Sequence, residues 1–203
     1  INIRRYKWKF TEKEDKILKE SPYAPGISVI APAYNEEKTI IANVNSMLTL
    51  DYPLFEVVIV NDGSKDRTLD LLIQEFELVE TPFAYVERIR TKPFKRILKS
   101  TNPKYDKLTV VDKENGGTKA DASNAGINAS VFPYFVCTDV DCILSRDALL
   151  KMIQPVLDSS VQVIAVGGTM RMANSCEIDE NGVITRVKPP KRIIPCFQEI
   201  EYL

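Results

Sequence analysis

Apolar positions along this chain alternate between two periods. Ile27-Ser-Val-Ile-Ala-Pro-Ala33 is a short β-rich run, and residues 36–50 then place Ile40, Val44, Met47 and Leu48 on one helical face. The unit recurs: 55–61 predicts a strand, and 65–76 a helix presenting Leu69, Leu72, Ile73 and Phe76. Further strands are predicted over 83–89, 108–112, 134–138 and 161–166, with 134–138 read as a buried strand. Helices are predicted over 119–131 and from Ser145, with Ser145 as N-cap and Asp147 in the first turn. Such alternation predicts an α/β fold, a mostly parallel central sheet with helices on both faces. Apolar stretches at 170–177 and 183–187 flank Asn181-Gly182, so a C-terminal β-hairpin is expected as well.

Two stretches stand outside this scheme. Residues 1–26 set Arg4, Arg5, Lys7 and Lys9 among Tyr6, Trp8 and Phe10 and close in a turn cluster. They are expected to form a leader outside the core, as a juxtamembrane collar or as an amphipathic packing arm. Residues 88–107 carry eight basic side chains and one acid, Asp106, with Pro93 and Pro103 breaking any helix. A loop is expected there, as a solvated excursion or as a basic flank for phosphates or anionic lipid head groups. The chain opens at Ile1 and stops inside an apparent helix at Leu203, so a piece of a longer protein is expected. It contains no window of 18 apolar residues and no signal-peptide pattern.

Composition narrows the chemistry. With 27 Lys+Arg against 28 Asp+Glu and a net charge of −1, the chain is too balanced for a protein whose task is neutralising a polyanion. Nucleic acid is therefore not an expected partner. There is no histidine, which excludes Ser-His-Asp and Cys-His nucleophile systems and every imidazole metal site. Acids, bases and hard metal ligands fall to carboxylates and lysine. Cys137, Cys142, Cys176 and Cys196 show no Cys-x-x-Cys spacing, and Cys137, in an apolar run, reads as a small buried hydrophobe in a reducing compartment.

Open α/β sheets bind ligands beyond the carboxyl ends of their strands. Four polar clusters fall there: Pro32-Ala-Tyr-Asn-Glu-Glu37, Asn61-Asp-Gly-Ser-Lys-Asp66, Asn115-Gly-Gly-Thr-Lys-Ala-Asp121 and Thr138-Asp-Val-Asp-Cys142. Asp139 and Asp141, one residue apart after an apolar run, reach one hard cation if the chain turns, and their oxygens suit Mg²⁺ or Mn²⁺. A capping or turn role is the alternative for this pair. Asp62 is placed to accept hydrogen bonds from a base or ribose, or to shape an Asp-Gly turn with Ser64 capping the next helix. Glu36 and Glu37 are expected to open the first helix, where carboxylates favour the macrodipole whatever their function. Lys119, opening a helix after Gly116-Gly117, suits a diphosphate, or is a snorkelling surface lysine. Neither Gly-x-Gly-x-x-Gly nor a P-loop pattern follows the first strand, so a glycine cradle for phosphate is not expected.

Taken in order, Val29-Ile-Ala-Pro-Ala-Tyr-Asn-Glu-Glu37, Val58-Ile-Val-Asn-Asp-Gly-Ser64, the stretch from Asn115 to Gly126 and Thr138-Asp-Val-Asp141 resemble family 2 glycosyltransferases of GT-A fold. They resemble in particular the membrane-bound processive synthases of cellulose, hyaluronan and poly-N-acetylglucosamine. The resemblance covers residues 27–203 and implies that they form the donor-binding portion of an inverting glycosyltransferase domain, truncated at its C-terminus. It implies that Ala33, Tyr34 and Glu36 line a nucleotide pocket and that Asp62 meets the uracil or ribose. Lys119 and Asp121 would help hold the donor, while Asp139 and Asp141 face Mg²⁺ or Mn²⁺ and the diphosphate. The implied partners are a UDP-sugar and a growing glycan acceptor, with the full-length protein at the cytoplasmic face of the cell membrane.

Three departures qualify the resemblance. The family's downstream catalytic base has no counterpart before Leu203, so the catalytic residue is not in this chain and the piece alone is expected to be inactive. The Gln-x-x-Arg-Trp acceptor motif is missing, since Trp8 is the only tryptophan, and Thr118 lengthens the commoner Gly-Gly-Lys. A catalytically silent nucleotide-sugar-binding or partner-docking module on the same fold is the alternative reading. A nucleotidyltransferase is disfavoured by the lack of a basic, Gly-rich triphosphate loop.

Overall fold

The computed structural model describes residues 12–82, 85–168, 176–178, 184–186, 188–189 and 191–201. Helix α1 (Glu12–Glu20) precedes the alternating units β1 (Ile27–Ala33), α2 (Ile40–Leu48), β2 (Phe55–Asp62) and α3 (Thr68–Glu75). Strands β3 (Leu78–Glu80), β4 (Phe94–Ser100) and β5 (Leu108–Lys113) follow, then α4 (Lys119–Ala129), β6 (Tyr134–Cys137) and α5 (Ala148–Asp158). The short strands β7 (Glu177–Ile178) and β8 (Ile184–Arg186) and helix α6 (Ile193–Glu201) complete the described elements. Six strands form one sheet in the order β3-β4-β5-β2-β1-β6. Three of its five pairings are parallel, and the two involving β4 are antiparallel.

The period-2 alternation sorts the core. Val29, Ala31 and Ala33 of β1 and Val57 and Ile59 of β2 face α2, α3 and α5, where Val44, Leu72 and Leu149 meet them. Ile30, Val58 and Val60 face the other way, onto Ala122, Ala125 and Ala129 of α4. Small residues let α4 sit close: Gly126 lies directly over Ile30 and Val60, with no room for a Cβ. Helices thus cover both faces, and β1 and β2 are buried almost end to end.

Several expectations change. Residues 88–107 do not form a plain loop: Phe94–Ser100 is strand β4, whose Ile97 and Leu98 are buried while Lys95 is exposed and Arg96 and Lys99 are half-buried. Of the strand expected over 83–89, residues 85–89 are irregular, and 83–84 lie outside the described residues. Residues 161–166 are irregular too, with Ile164 91% exposed, because no neighbouring strand among the described residues offers them a ladder. Strand β6 exists but is not buried: it is the sheet's edge, Tyr134 and Phe135 are exposed, and so is Cys137. The following helix begins at Ala148 with Asp147 at its N-cap, so Ser145 is not the cap; its carbonyl instead accepts from Ala148 N–H at 2.9 Å. Helix α2 begins at Ile40, leaving Glu36 and Glu37 in the preceding loop.

At the chain's beginning, residues 1–11 lie outside the described residues, but α1 is tied to the domain. Leu18 packs against the main core, and Lys19 pairs with Asp51. The expected hairpin is present as antiparallel β7 and β8, its turn at 179–183 lying outside the described residues. Among the described residues, no helix is long and apolar enough to cross a membrane.

Candidate active site

The carboxyl ends of β1, β2 and β5 open onto one cleft of about 360 Å³. Pro32, Ala33, Tyr34 and Glu36 line one side, Asp62 the floor, and Asn115, Gly117, Thr118, Lys119 and Ala122 the other side. Five of the sequence-derived donor positions therefore meet in one place: Ala33, Tyr34, Glu36, Asp62 and Lys119.

Two loops are braced against each other to hold the first wall. Asn35 N–H donates to Ser64 Oγ at 3.1 Å, and Lys65 N–H returns to Asn35 Oδ1 at 2.8 Å. Glu36 N–H donates to Thr68 Oγ1 at 2.7 Å, Glu37 N–H to Asp66 Oδ2 at 3.1 Å, and Arg67 N–H to Glu37 Oε2 at 3.2 Å. Asn35 takes a left-handed φ of 58°, which asparagine tolerates better than most residues. Glu37 thereby spends its carboxylate on the brace, while Tyr34 and Glu36 remain at the cleft. Asp66 carries the same load. Burial would raise its pKa, but the Thr68 hydroxyl and N–H outweigh that and hold it below the ordinary carboxylate range.

The opposite wall is a turn leading into α4. Gly63 has φ +66°, and a Cβ there would fall 2.8 Å from Asn115 N, so only glycine fits without a shift. Asn115 Nδ2 donates to the Asp62 carbonyl at 2.7 Å, and its Oδ1 accepts from Gly117 N–H at 2.8 Å. Thr118 caps α4, its hydroxyl accepting from Asp121 N–H at 3.2 Å.

Asp121 does not line the cleft. Its Oδ2 accepts from Lys113 Nζ at 2.6 Å and its Oδ1 from Lys92 N–H at 2.9 Å. Burial pushes its pKa up, yet the Lys113 ammonium and the Lys92 amide override this and leave it lowered. Lys113 also reaches Asp62 Oδ1 at 2.8 Å. Sequence reasoning missed Lys113 and Asn115 as site residues, although the Asp112-Lys113 pair closing a β-rich run was a visible signal for the first.

Asp139 and Asp141 lie beyond the lysine end of the cleft. Buried Val140 packs into the core between them, and the turn is closed by Cys142 N–H to the Asp139 carbonyl at 3.1 Å. Both carboxylates consequently face solvent. Lys119 pairs with Asp139 and links the turn to the cleft. The donor atoms of Asp139, Asp141 and Cys142 lie within 4.8 Å of one another. Burial, then the Asp139 and Asp141 charges, push the Cys142 thiol pKa up, and the two exposed carboxylates are the hard oxygen donors of the group. That hard-oxygen set fits Mg²⁺ or Mn²⁺.

Comparison with known proteins gives the family of the chain. The family model described as glycosyl transferase family 2 matches residues 28–90 and 86–182. A poly-beta-1,6-N-acetyl-D-glucosamine synthase of Staphylococcus epidermidis is 30% identical over 162 residues, 80% of this chain and 32% of that protein. One from Staphylococcus aureus strain COL is 31% identical over 153 residues, 75% of this chain and 30% of that protein. This chain thus spans about a third of the length of the curated relatives it matches. Among solved structures, a mannosyltransferase from Pyrobaculum calidifontis in complex with GDP-Man and Mn²⁺ has a TM-score of 0.50 at 25% identity, covering 73% of this chain and 39% of that one.

Proposed function

The chain belongs to glycosyl transferase family 2, and from that premise we propose that residues 27–203 form the donor-binding portion of an inverting glycosyltransferase that passes a sugar from a UDP-linked donor to a growing glycan. The observation that carries this reading is the single cleft in which Tyr34, Glu36, Asp62 and Lys119 converge at the strand ends. The likeness to synthases of an N-acetylglucosamine polymer makes a polysaccharide the natural acceptor class. We place the whole protein at the cytoplasmic face of a membrane, with residues 1–26 as a leader whose helix α1 packs against the catalytic domain.

Each side chain has a physical task. Tyr34 offers a ring face to the base. Asp62 accepts N–H or O–H donors from the base or ribose, and its anionic acceptor selects rings that carry an N–H there. Lys119, at the N-terminus of α4, meets the diphosphate with its ammonium beside the helix's positive end. Asp139 and Asp141 would hold the divalent ion, which supplies neutralising charge for the departing diphosphate. Transfer also needs a carboxylate to take the proton of the acceptor hydroxyl; we assign that role to no residue of this chain.

Calorimetric titration tests the reading. UDP should bind to the chain in the presence of Mn²⁺ and compete with UDP-N-acetylglucosamine, whose sugar should be transferred slowly or not at all. A chain that binds neither ligand refutes the donor site. One that binds both yet supports full-rate single-turnover transfer refutes the assignment of the base elsewhere.

A further inference from the structure

Lys113, the last residue of β5, is among the largest fully buried side chains of the protein, with 0% of its side chain exposed. An ammonium is costly to take out of water unless each of its protons finds an acceptor. All three do. Nζ donates to Asp62 Oδ1 at 2.8 Å, to Asp121 Oδ2 at 2.6 Å and to the Glu114 carbonyl at 2.6 Å. Asp62 belongs to β2 and Asp121 to the first turn of α4, so one cation joins the two elements between which the cleft opens. Gly116 N–H donates to the same Asp62 Oδ1 at 3.0 Å, and a Cβ on Gly116 would overlap the Asp121 carboxylate. Lys113 itself is not among the cleft-lining residues.

From this geometry we infer that Lys113 is a positioning residue of the donor site: it fixes the Asp62 carboxylate at the cleft floor and anchors it, through Asp121, to the start of α4. The inference rests on the reading of the cleft as a nucleotide-sugar site. A residue needed only to fill space at the end of β5 would be apolar, since replacing buried ionic groups by packed hydrophobes is often neutral or stabilising. An apolar side chain cannot hold two carboxylates from different elements at one point.

The test is calorimetric titration of the 203-residue chain with UDP, GDP and ADP, each with MnCl₂, beside thermal melting. The variants are Lys113→Met, Lys113→Arg, Asp62→Asn and the double variant Lys113→Met/Asp62→Asn. Folded Lys113→Met should lose about ten- to a hundredfold in affinity for the nucleotide that binds the unsubstituted chain, the range typical of supporting side chains behind a ligand group. Asp62→Asn should also weaken binding, and the double variant should bind no worse than the weaker single variant, because both changes remove the same carboxylate contact. Lys113→Arg, which retains the charge, should bind more tightly than Lys113→Met. Should Lys113→Met not fold, Lys113→Gln, which keeps two N–H donors without the charge, carries the same prediction. A folded variant with unchanged affinity, or losses that multiply in the double variant, overturns the inference alone. Failure of all three nucleotides to bind the unsubstituted chain overturns the donor-site reading and the inference with it.

Discussion

Asp112 and Lys113 are consecutive residues of β5 that send opposite charges to opposite faces of the sheet. On the face of α2 and α3, Asp112 accepts from Asn61 Nδ2 at 2.9 Å and from Arg96 Nε at 3.2 Å. On the α4 face, Lys113 holds Asp62 and Asp121. The parallel register pairs Asn61 with Asp112 and Asp62 with Lys113, so two polar networks stand back to back at the end of an otherwise apolar sheet. The Asp112 network is structural. Asp112→Ala should cost about 1–3 kcal/mol by leaving the buried Asn61 amide without its acceptor, as measured by urea unfolding, with nucleotide affinity little changed.

Gly63→Ala should act on both stability and the site. Its positive φ and the close Asn115 backbone make any side chain strained, at a cost of about 1–3 kcal/mol. Because Asn115 bridges Asp62 and Gly117, the same change should weaken nucleotide binding. Urea midpoints and calorimetric affinities falling together would support this, and a loss in only one of them would contradict it.

Acid stability follows from Asp66 and Asp121. The folded pKa of each lies below its ordinary value. Each therefore contributes stability that is present above the unfolded carboxylate pKa of about 3.9 and is lost as pH falls through the lower folded value. Unfolding free energy should accordingly fall as pH drops below about 4. Asp121→Asn should flatten that part of the profile; a slope identical to that of the unsubstituted chain would refute the assignment.

The sequence made β1, β2, β5 and their helices legible because buried parallel strands read as continuous β-branched runs. The site motifs were legible for a related reason, since polar residues directly after such runs mark strand ends. Strand β4 was hidden by Lys95, Arg96 and Lys99, which break its apolar pattern, while only Ile97 and Leu98 are buried. For 161–166 the error ran the other way. Composition supplied a strand former, but pairing depends on a neighbour that local pattern cannot name. Lys113 was missed because its partners lie 51 and 8 residues away in sequence and only the fold brings them together.

We propose that the Asp139–Asp141 turn and the cleft act as one metal-dependent nucleotide site. Asp139 and Asp141 are exposed, and a surface ion pair such as Lys119–Asp139 contributes less than about 1 kcal/mol, so Asp139→Asn and Asp141→Asn should leave the melting temperature nearly unchanged. The most direct measurement is calorimetric titration of UDP into the chain and these two variants, with Mn²⁺ and with EDTA. Binding by the unsubstituted chain should need Mn²⁺, and either substitution should abolish it. UDP binding of equal strength in EDTA, or in both folded variants, would contradict it.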